Sequence, residues 1–303
     1  MDDMQNELIT VMGATGNTGY EITKRLLAAG HRVRALGRSQ DKLAELTAAG
    51  AETAAGDAAD PTFLTEAFRG SAAVYTLLPI DVTWADYHAE VGVIGSAVVE
   101  AVRVAGIRHV VALSSLGAEL PTGTGFLTSL HAQEQRWSAL PEVNVLLLRP
   151  GLFFESFRAA LGMIETEGIN GDSVDPDVRI PMIATRDIAE AAATALATRD
   201  WHGIVVRELL GQRDLSYREA TAILGAAMGR PALPYVQFDY DAMTHALIES
   251  GFSQNVASQH VAMTQAFNEN RVVPLRGRTP DNTTPTRFED FAAELFEAHR
   301  RPS

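Results

Sequence analysis

The chain of 303 residues carries 38 acidic against 25 Lys and Arg residues, a formal charge of -13, and it contains no cysteine. The missing thiol excludes disulfides, thiolate metal sites and cysteine nucleophiles, and no other metal-ligating cluster stands out; the scattered basic residues argue against nucleic-acid binding, which needs clustered Lys and Arg. A hydrophobic share of 46% in a chain this long supports a large core in one domain or in two that share it.

The opening stretch "MDDMQNELIT" is acidic and has no basic-then-apolar secretion pattern, so a cytoplasmic protein is expected. "LITVMG" reads as a buried strand. "YEITKRLLAAG" follows as a helix with Ile22, Leu26 and Ala29 on one face and Gly30 as its stop. "HRVRALGR" is a second strand, and "SQDKLAELTAAG" a second helix with Ser39 at its N-cap position. "AAVYTLLP", "HVVALSS" and "VNVLLLRP" are further strands, with the long helix "YHAEVGVIGSAVVEAVRVAG" between the first two. Glu100 and Arg103 interrupt that helix, which therefore does not read as a membrane span. Beyond Pro150, "GLFFESFRAALGMIETEGIN" reads as an insertion. An alanine-rich helix follows, capped by Thr185 or Asp187, then a late strand in "HGIVVREL" and a mostly helical remainder broken by prolines.

Strands alternating with long helices predict an α/β fold, a doubly wound parallel sheet with a smaller, mostly helical C-terminal lobe. Residues 1–152 with 178–208 would form the dinucleotide-binding domain, and 153–177 with 209–303 the substrate lobe. The crevice between them would be the binding site.

The stretch "GATGNTG" ends the first strand and opens the first helix. In that context Gly13 permits a sharp turn, Gly16 a close approach of backbone to a pyrophosphate, and Gly19 close helix–sheet packing. Thr15, Asn17 and Thr18 belong to the same loop, and Asn17 and Thr18 can add side-chain donors to the helix amides. The second strand ends in Gly37-Arg38-Ser39, with no acid until Asp41. Arg38 and Ser39 can hold a ribose 2′-phosphate, and Lys42 adds a charge one turn on; this favours NADP(H) over NAD. The plainer reading of Arg38 and Lys42 is a pair of solvated helix-start charges.

The spacing G-x-x-G-x-x-G resembles the fingerprint of extended and atypical short-chain dehydrogenases. With "GRSQDKL", "GDAADP", "VVALSSLGA", "LLLRPGLFFESF" and "PMIATRDIAEAAATAL", the chain resembles the NmrA-like family over nearly its whole length. The resemblance implies that Asp57 meets the adenine amino group with Ala58 beside the ring, although Asp57 could instead cap the helix near Pro61. It implies that Leu77, Leu78 and Pro79 line the adenosine, although both leucines could be core. Ser114 and Ser115 end a strand at the edge where ligands bind: Ser114 is expected at the cofactor and Ser115 as the serine of the reaction.

A short-chain dehydrogenase carries Tyr and, four residues later, Lys. Here those places hold His131 and Gln135. His131 can donate a proton, or can simply lie beside the cofactor ribose. A site without the Tyr–Lys pair suits acceptors that need little from the protein, such as quinones, enones, iminium ions and azo compounds. Phe153, Phe154 and Phe157, with Met163, are candidate walls for such a small-molecule substrate or else ordinary core of the lobe, and Trp84, Tyr87 and His88 are weaker candidates. Two functions follow: an NADPH-dependent oxidoreductase, or a non-catalytic NADP(H) sensor that acts through a protein partner. Substrate identity and oligomeric state do not follow from the sequence.

Overall fold

A computed structural model describes residues 7–300. The main sheet is built from β1 (Leu8–Val11), β2 (Arg32–Gly37), β3 (Glu52–Ala55), β4 (Ser71–Thr76), β5 (His109–Leu113), β6 (Asn144–Pro150) and β10 (Ile204–Leu209), in the order β10-β6-β5-β4-β1-β2-β3. All pairings in it are parallel. Buried on both faces, the central strands are continuous apolar runs, as "NVLLLRP" in β6 illustrates. The chain winds outward both ways from β1 and β4, so the strand order reverses between them. That is where a parallel sheet opens a crevice at its carboxyl edge.

Helix α1 (Asn17–Ala28), α2 (Gln40–Ala48), α3 (Pro61–Phe68), α4 (Tyr87–Val104) and α5 (Phe126–Trp137) follow successive strands, and α7 (Thr185–Thr198) precedes β10. Ile22 and Leu26 of α1 pack with Ile188, Ala192 and Leu196 of α7 on one face. The fully buried Ala189 and Ala192 let those two helices lie close. Leu64, Phe68, Val98, Val102 and Trp137 fill the other face.

The lobe has its own core, centred on Phe154, Phe157, Tyr217, Leu224, Phe288 and Phe291. It comprises a one-turn-per-three-residue helix over Phe154–Ala159, α6 (Ala160–Thr166), α8 (Tyr217–Ala227), α9 (Tyr240–Glu249), α10 (Gln254–Asn268) and α11 (Phe288–Arg300). Short strands β7 (Leu152–Phe153), β9 (Ile180–Ile183) and β11 (Asp214–Leu215) form one small sheet, and β8 (Asn170–Asp172) pairs with β12 (Tyr235–Gln237). Strand β9, expected in the dinucleotide-binding domain, therefore pairs with lobe strands and bridges the two cores.

Two local expectations are corrected, and one strand is added. The edge strand β3 carries no sequence signal, because "ETAA" has no large apolar residue; its backbone bonds to β2 define it. The N-cap position of α7 is Ala184, and the Glu155 carboxylate reaches across the lobe to bond the Thr185 amide at 3.1 and 3.2 Å. Asp187 instead accepts from the Thr286 amide and hydroxyl.

Candidate active site

The glycine loop has the shape its sequence demands. Gly13 has φ +63°, and a Cβ there would lie 2.8 Å from the Leu77 side chain. A Cβ on Gly19 would lie 2.3 Å from the Gly13 carbonyl oxygen, so only glycine lets α1 start this close to the loop. Gly16 is the N-cap of α1 and supplies no side-chain acceptor to the first-turn amides. Those amides, at the positive end of the helix, suit a pyrophosphate. Thr15 and Asn17 are exposed beside them. Thr18 is not: it is buried, and its hydroxyl accepts from the Tyr75 phenol at 2.9 Å. The expected Thr18 side-chain donor is corrected to a core hydrogen bond. Burial pushes the Tyr75 phenol far above its ordinary range, so it stays a donor.

On one side of the loop is a cavity of about 220 Å³, lined by Gly13, Gly16, Arg38, Ala58, Leu77 and Pro79 among others. Arg38 is 80% exposed and 3.5 Å from Asp81. The Thr83 hydroxyl and amide, and then Arg38, hold the Asp81 carboxyl below its usual range. The Ser39 hydroxyl caps nothing, and Lys42 is exposed one turn along α2. Asp57 does not cap a helix, since Asp60 accepts from the Thr62 amide at 2.8 Å and is the cap. Asp57 accepts from the Ala59 amide at 2.9 Å, ordering the turn that puts Ala58 in the cavity wall. The uncapped helix start, the uncommitted Ser39 hydroxyl and the Arg38–Lys42 pair fit a dinucleotide bearing a 2′-phosphate.

On the other side of β4 and β5 lies an apolar cavity of about 270 Å³. Leu78, Leu113, Ser115, Leu130, Phe153 and Met263 are among its walls, and Tyr87 contributes too. Leu78 thus faces this cavity rather than the adenosine side, because the turn at 77–79 points successive side chains opposite ways. Phe153 borders this cavity; Phe154 does not, and Phe157 lies instead in the wall of a second cavity inside the lobe. Phe154 packs edge-on to Phe288 at 5.0 Å, and Phe157 packs on Tyr217 at 5.2 Å, inside the lobe core. The helix turn after Phe153 rotates them inward. His88 is held by Ser129 at 2.6 Å and Gln259 at 2.9 Å, away from this cavity.

Ser114 and Ser115 both border the cavity. The Ser114 hydroxyl donates to Glu134 at 2.5 Å. Glu134 also takes two bonds from Arg149, at 2.9 and 2.5 Å, and Arg149 reaches Glu119 at 2.9 Å. Nothing in the spacing around Glu134 marks this buried network, since its partners Ser114, Arg149 and Glu119 come from other parts of the chain. His131 Nδ1 bonds the Ala118 carbonyl at 2.9 Å. The Ala118 amide donates to the Ser115 carbonyl at 3.2 Å, so His131 braces the turn that carries Ser115. His131 is not one of the cavity walls, which α5 supplies through Phe126, Leu127 and Leu130. Gln135, in the place of the dehydrogenase lysine, is exposed. Met263, Phe267 and Val272 close the cavity from the lobe; only the tertiary packing of α10 brings them there.

A parallel sheet with a dinucleotide cradle and an apolar cavity at its carboxyl edge defines a nucleotide-binding protein of the Rossmann type. The chain belongs to the NmrA-like family, whose model matches residues 5–292. It is 30% identical over 299 residues to a (4-alkanoyl-5-oxo-2,5-dihydrofuran-3-yl)methyl phosphate reductase of Streptomyces griseus, covering 96% of this chain and 99% of that one. It is 29% identical over 254 residues to an NAD(P)H azoreductase of Xenophilus azovorans, covering 82% and 84%. Among solved structures, it superposes on an NADPH-dependent quinone oxidoreductase of Escherichia coli complexed with NADPH, with TM-score 0.79, 21% identity and 95% and 99% coverage. It also superposes on NmrA, a negative transcriptional regulator in complex with NADP, with TM-score 0.71, 19% identity and 97% and 92% coverage.

Proposed function

We propose that this protein is an NADPH-dependent reductase of small, apolar, conjugated acceptors such as quinones, enones, iminium ions or azo compounds. The observation that carries this reading is the apolar cavity of about 270 Å³ that shares the loop at 77–80 with the 2′-phosphate-type cradle. The two reductases among the relatives support it. When bound, NADPH would supply a hydride; a proton completes the two-electron reduction of a quinone, enone or azo acceptor, whereas an iminium ion is neutralised by the hydride alone.

The chain's own residues do the rest. The amides after Gly16 hold the pyrophosphate, and Arg38, Ser39 and Lys42 the 2′-phosphate. Leu78, Leu113, Phe153 and Met263 exclude water around the acceptor. The Ser115 hydroxyl is the polar group at that wall with no partner among the described residues, because Ser114 is committed to Glu134. Ser115 therefore donates to the acceptor atom on which negative charge develops. His131 positions Ser115 through Ala118.

The second reading is a sensor of NADP(H) that signals to a protein partner without turnover. It is favoured by exposed Gln135 standing where a dehydrogenase has its lysine, and by the likeness to the regulator NmrA. The separating experiment follows reduced-nicotinamide absorbance with purified protein, NADPH and a panel of the four acceptor classes. Acceptor-dependent NADPH oxidation supports the reductase. Tight NADPH binding with no oxidation on any acceptor overturns it in favour of the sensor.

A further inference from the structure

Behind the apolar cavity lies a second one, of about 390 Å³, inside the lobe. Leu152, Met263 and Phe267 border both, so three side chains form the partition between them. Its body is apolar and adaptable, with Met163, Met243, Leu247 and Phe252 in its walls. Unbranched methionines at such a partition can yield to an occupant. One part of its wall is polar, where Asp172, His260 and Tyr217 lie.

These three groups have bonding capacity that the protein does not use. One oxygen of Asp172 accepts from the Ser173 amide at 2.6 Å and lies 3.5 Å from His260 Nε2. That approach does not amount to a hydrogen bond, and the buried His260 Nε2 has no hydrogen-bond partner among the described residues. The other Asp172 oxygen and the Tyr217 hydroxyl make no hydrogen bond among the described residues. Burial, and then the Asp172 charge, push the Tyr217 phenol well above its ordinary range, so it remains protonated in that field. No lysine or arginine is among the described residues lining the cavity. A half-buried carboxylate with no lysine or arginine in the lining favours a hydrogen-bond donor or a positive charge and disfavours an anion.

We propose that the second cavity is a distal acceptor subsite, which takes elongated acceptors whose far end carries a hydroxyl or amino group that donates to Asp172. This rests on reading the first cavity as the acceptor site of a reductase. The reacting ring would occupy the first cavity, the aryl or alkyl body would displace the Met263 side chain, and the donor end would reach Asp172 and His260.

The test uses 1,4-naphthoquinone and three derivatives with one flexible alkyl tether ending in a hydroxyl, an amine or a carboxylate. Binding is measured by calorimetry on the NADP⁺-saturated protein, in which no hydride is available. The amine and hydroxyl derivatives should bind at least about tenfold more tightly than the carboxylate, the scale of one charge-assisted hydrogen bond. Asp172→Asn should bring that ratio towards one. Ala246→Phe, on the partly exposed side of α9, should fill the cavity and weaken the tethered compounds relative to the parent quinone, which keeps the test sound if the Asp172 variant misfolds. Equal binding of all three ends, preference for the carboxylate, or indifference of the tethered compounds to Ala246→Phe overturns the subsite. Turnover of the untethered quinone with NADPH is read separately, so failure of the reductase reading shows as no oxidation, whatever the binding ratios are.

Discussion

At the scale of single residues, Arg38 and Ser115 carry the sharpest expectations. Arg38 follows β2, is largely exposed, and pairs with Asp81 at 3.5 Å. A 2′-phosphate would displace that weak pair. Arg38→Ala should weaken NADPH by about tenfold, less than a buried charge pair because water screens the site, and should leave NADH affinity nearly unchanged. Nicotinamide fluorescence titration with both cofactors checks it; equal losses would remove the 2′-phosphate role. Ser115→Ala should lower kcat while leaving NADPH affinity intact. His131→Ala should also lower kcat, through loosening of the Ala118 turn, but without removing a limb from the pH–rate profile. An acidic or basic limb that vanishes in His131→Ala would instead make the imidazole a proton carrier. Glycine roles were legible at this scale because a missing Cβ is a local property. The direction of a side chain was not, and Thr18 and Leu78 show it: each lies in the expected loop and points elsewhere.

At the scale of elements, the segment after β6 separates pocket from core within two residues. Phe153 ends the short strand β7 and borders the cavity, and Phe154 begins the tight helix that turns into the lobe core. Phe154→Ala should cost about 3–5 kcal/mol, as a large core truncation does. Phe153→Ala should cost clearly less stability and should raise KM for the acceptor. Urea unfolding and steady-state kinetics on the two variants test the division; matched stability losses would contradict it. The α7 start makes a related point. Its sequence offers Thr185 and Asp187 as caps, yet the amide is satisfied by Glu155 from another element. A cap supplied across thirty residues has no signature in the local spacing. Strand β3 is invisible for the opposite reason, since an exposed edge strand needs backbone partners and no apolar pattern.

At the scale of the whole molecule, the buried Glu134–Arg149 pair joins α5 to the end of β6 and extends to Ser114 and Glu119. Arg149→Met leaves two carboxylates without their cation and should cost about 3–5 kcal/mol. Thermal unfolding checks it, and a cost under about 1 kcal/mol, typical of a surface pair, would show the network to be dispensable. The lobe is held by more exposed pairs. Arg213 lowers the Glu289 carboxyl below its ordinary value of 4.5, and the Ser216 amide, with Arg179, does the same for Glu219. Depressed folded values mean that these groups contribute stability above the unfolded value, and that it is lost as pH falls through the folded one. Stability should therefore decline below about pH 4.5, and Glu289→Gln should flatten part of that decline in urea midpoints taken across the acid range. A decline of the same steepness in the variant would remove Glu289 from the account.

The sequence by itself determined the parallel sheet, the glycine cradle and the likeness to the NmrA-like family, because each is written in short-range spacing: apolar runs that must be strands, glycines where a Cβ cannot fit, a basic strand end without an acid. The tertiary structure alone decided which faces of those elements meet. It turned Phe154 into core and Phe157 towards the lobe cavity, set Glu134 and Arg149 beneath the first cavity, brought Met263 and Phe267 of a distant helix over it, and placed Asp172 and His260 in the wall of the second. Those outcomes depend on how elements far apart in the chain pack together, and such long-range packing leaves no period in the sequence.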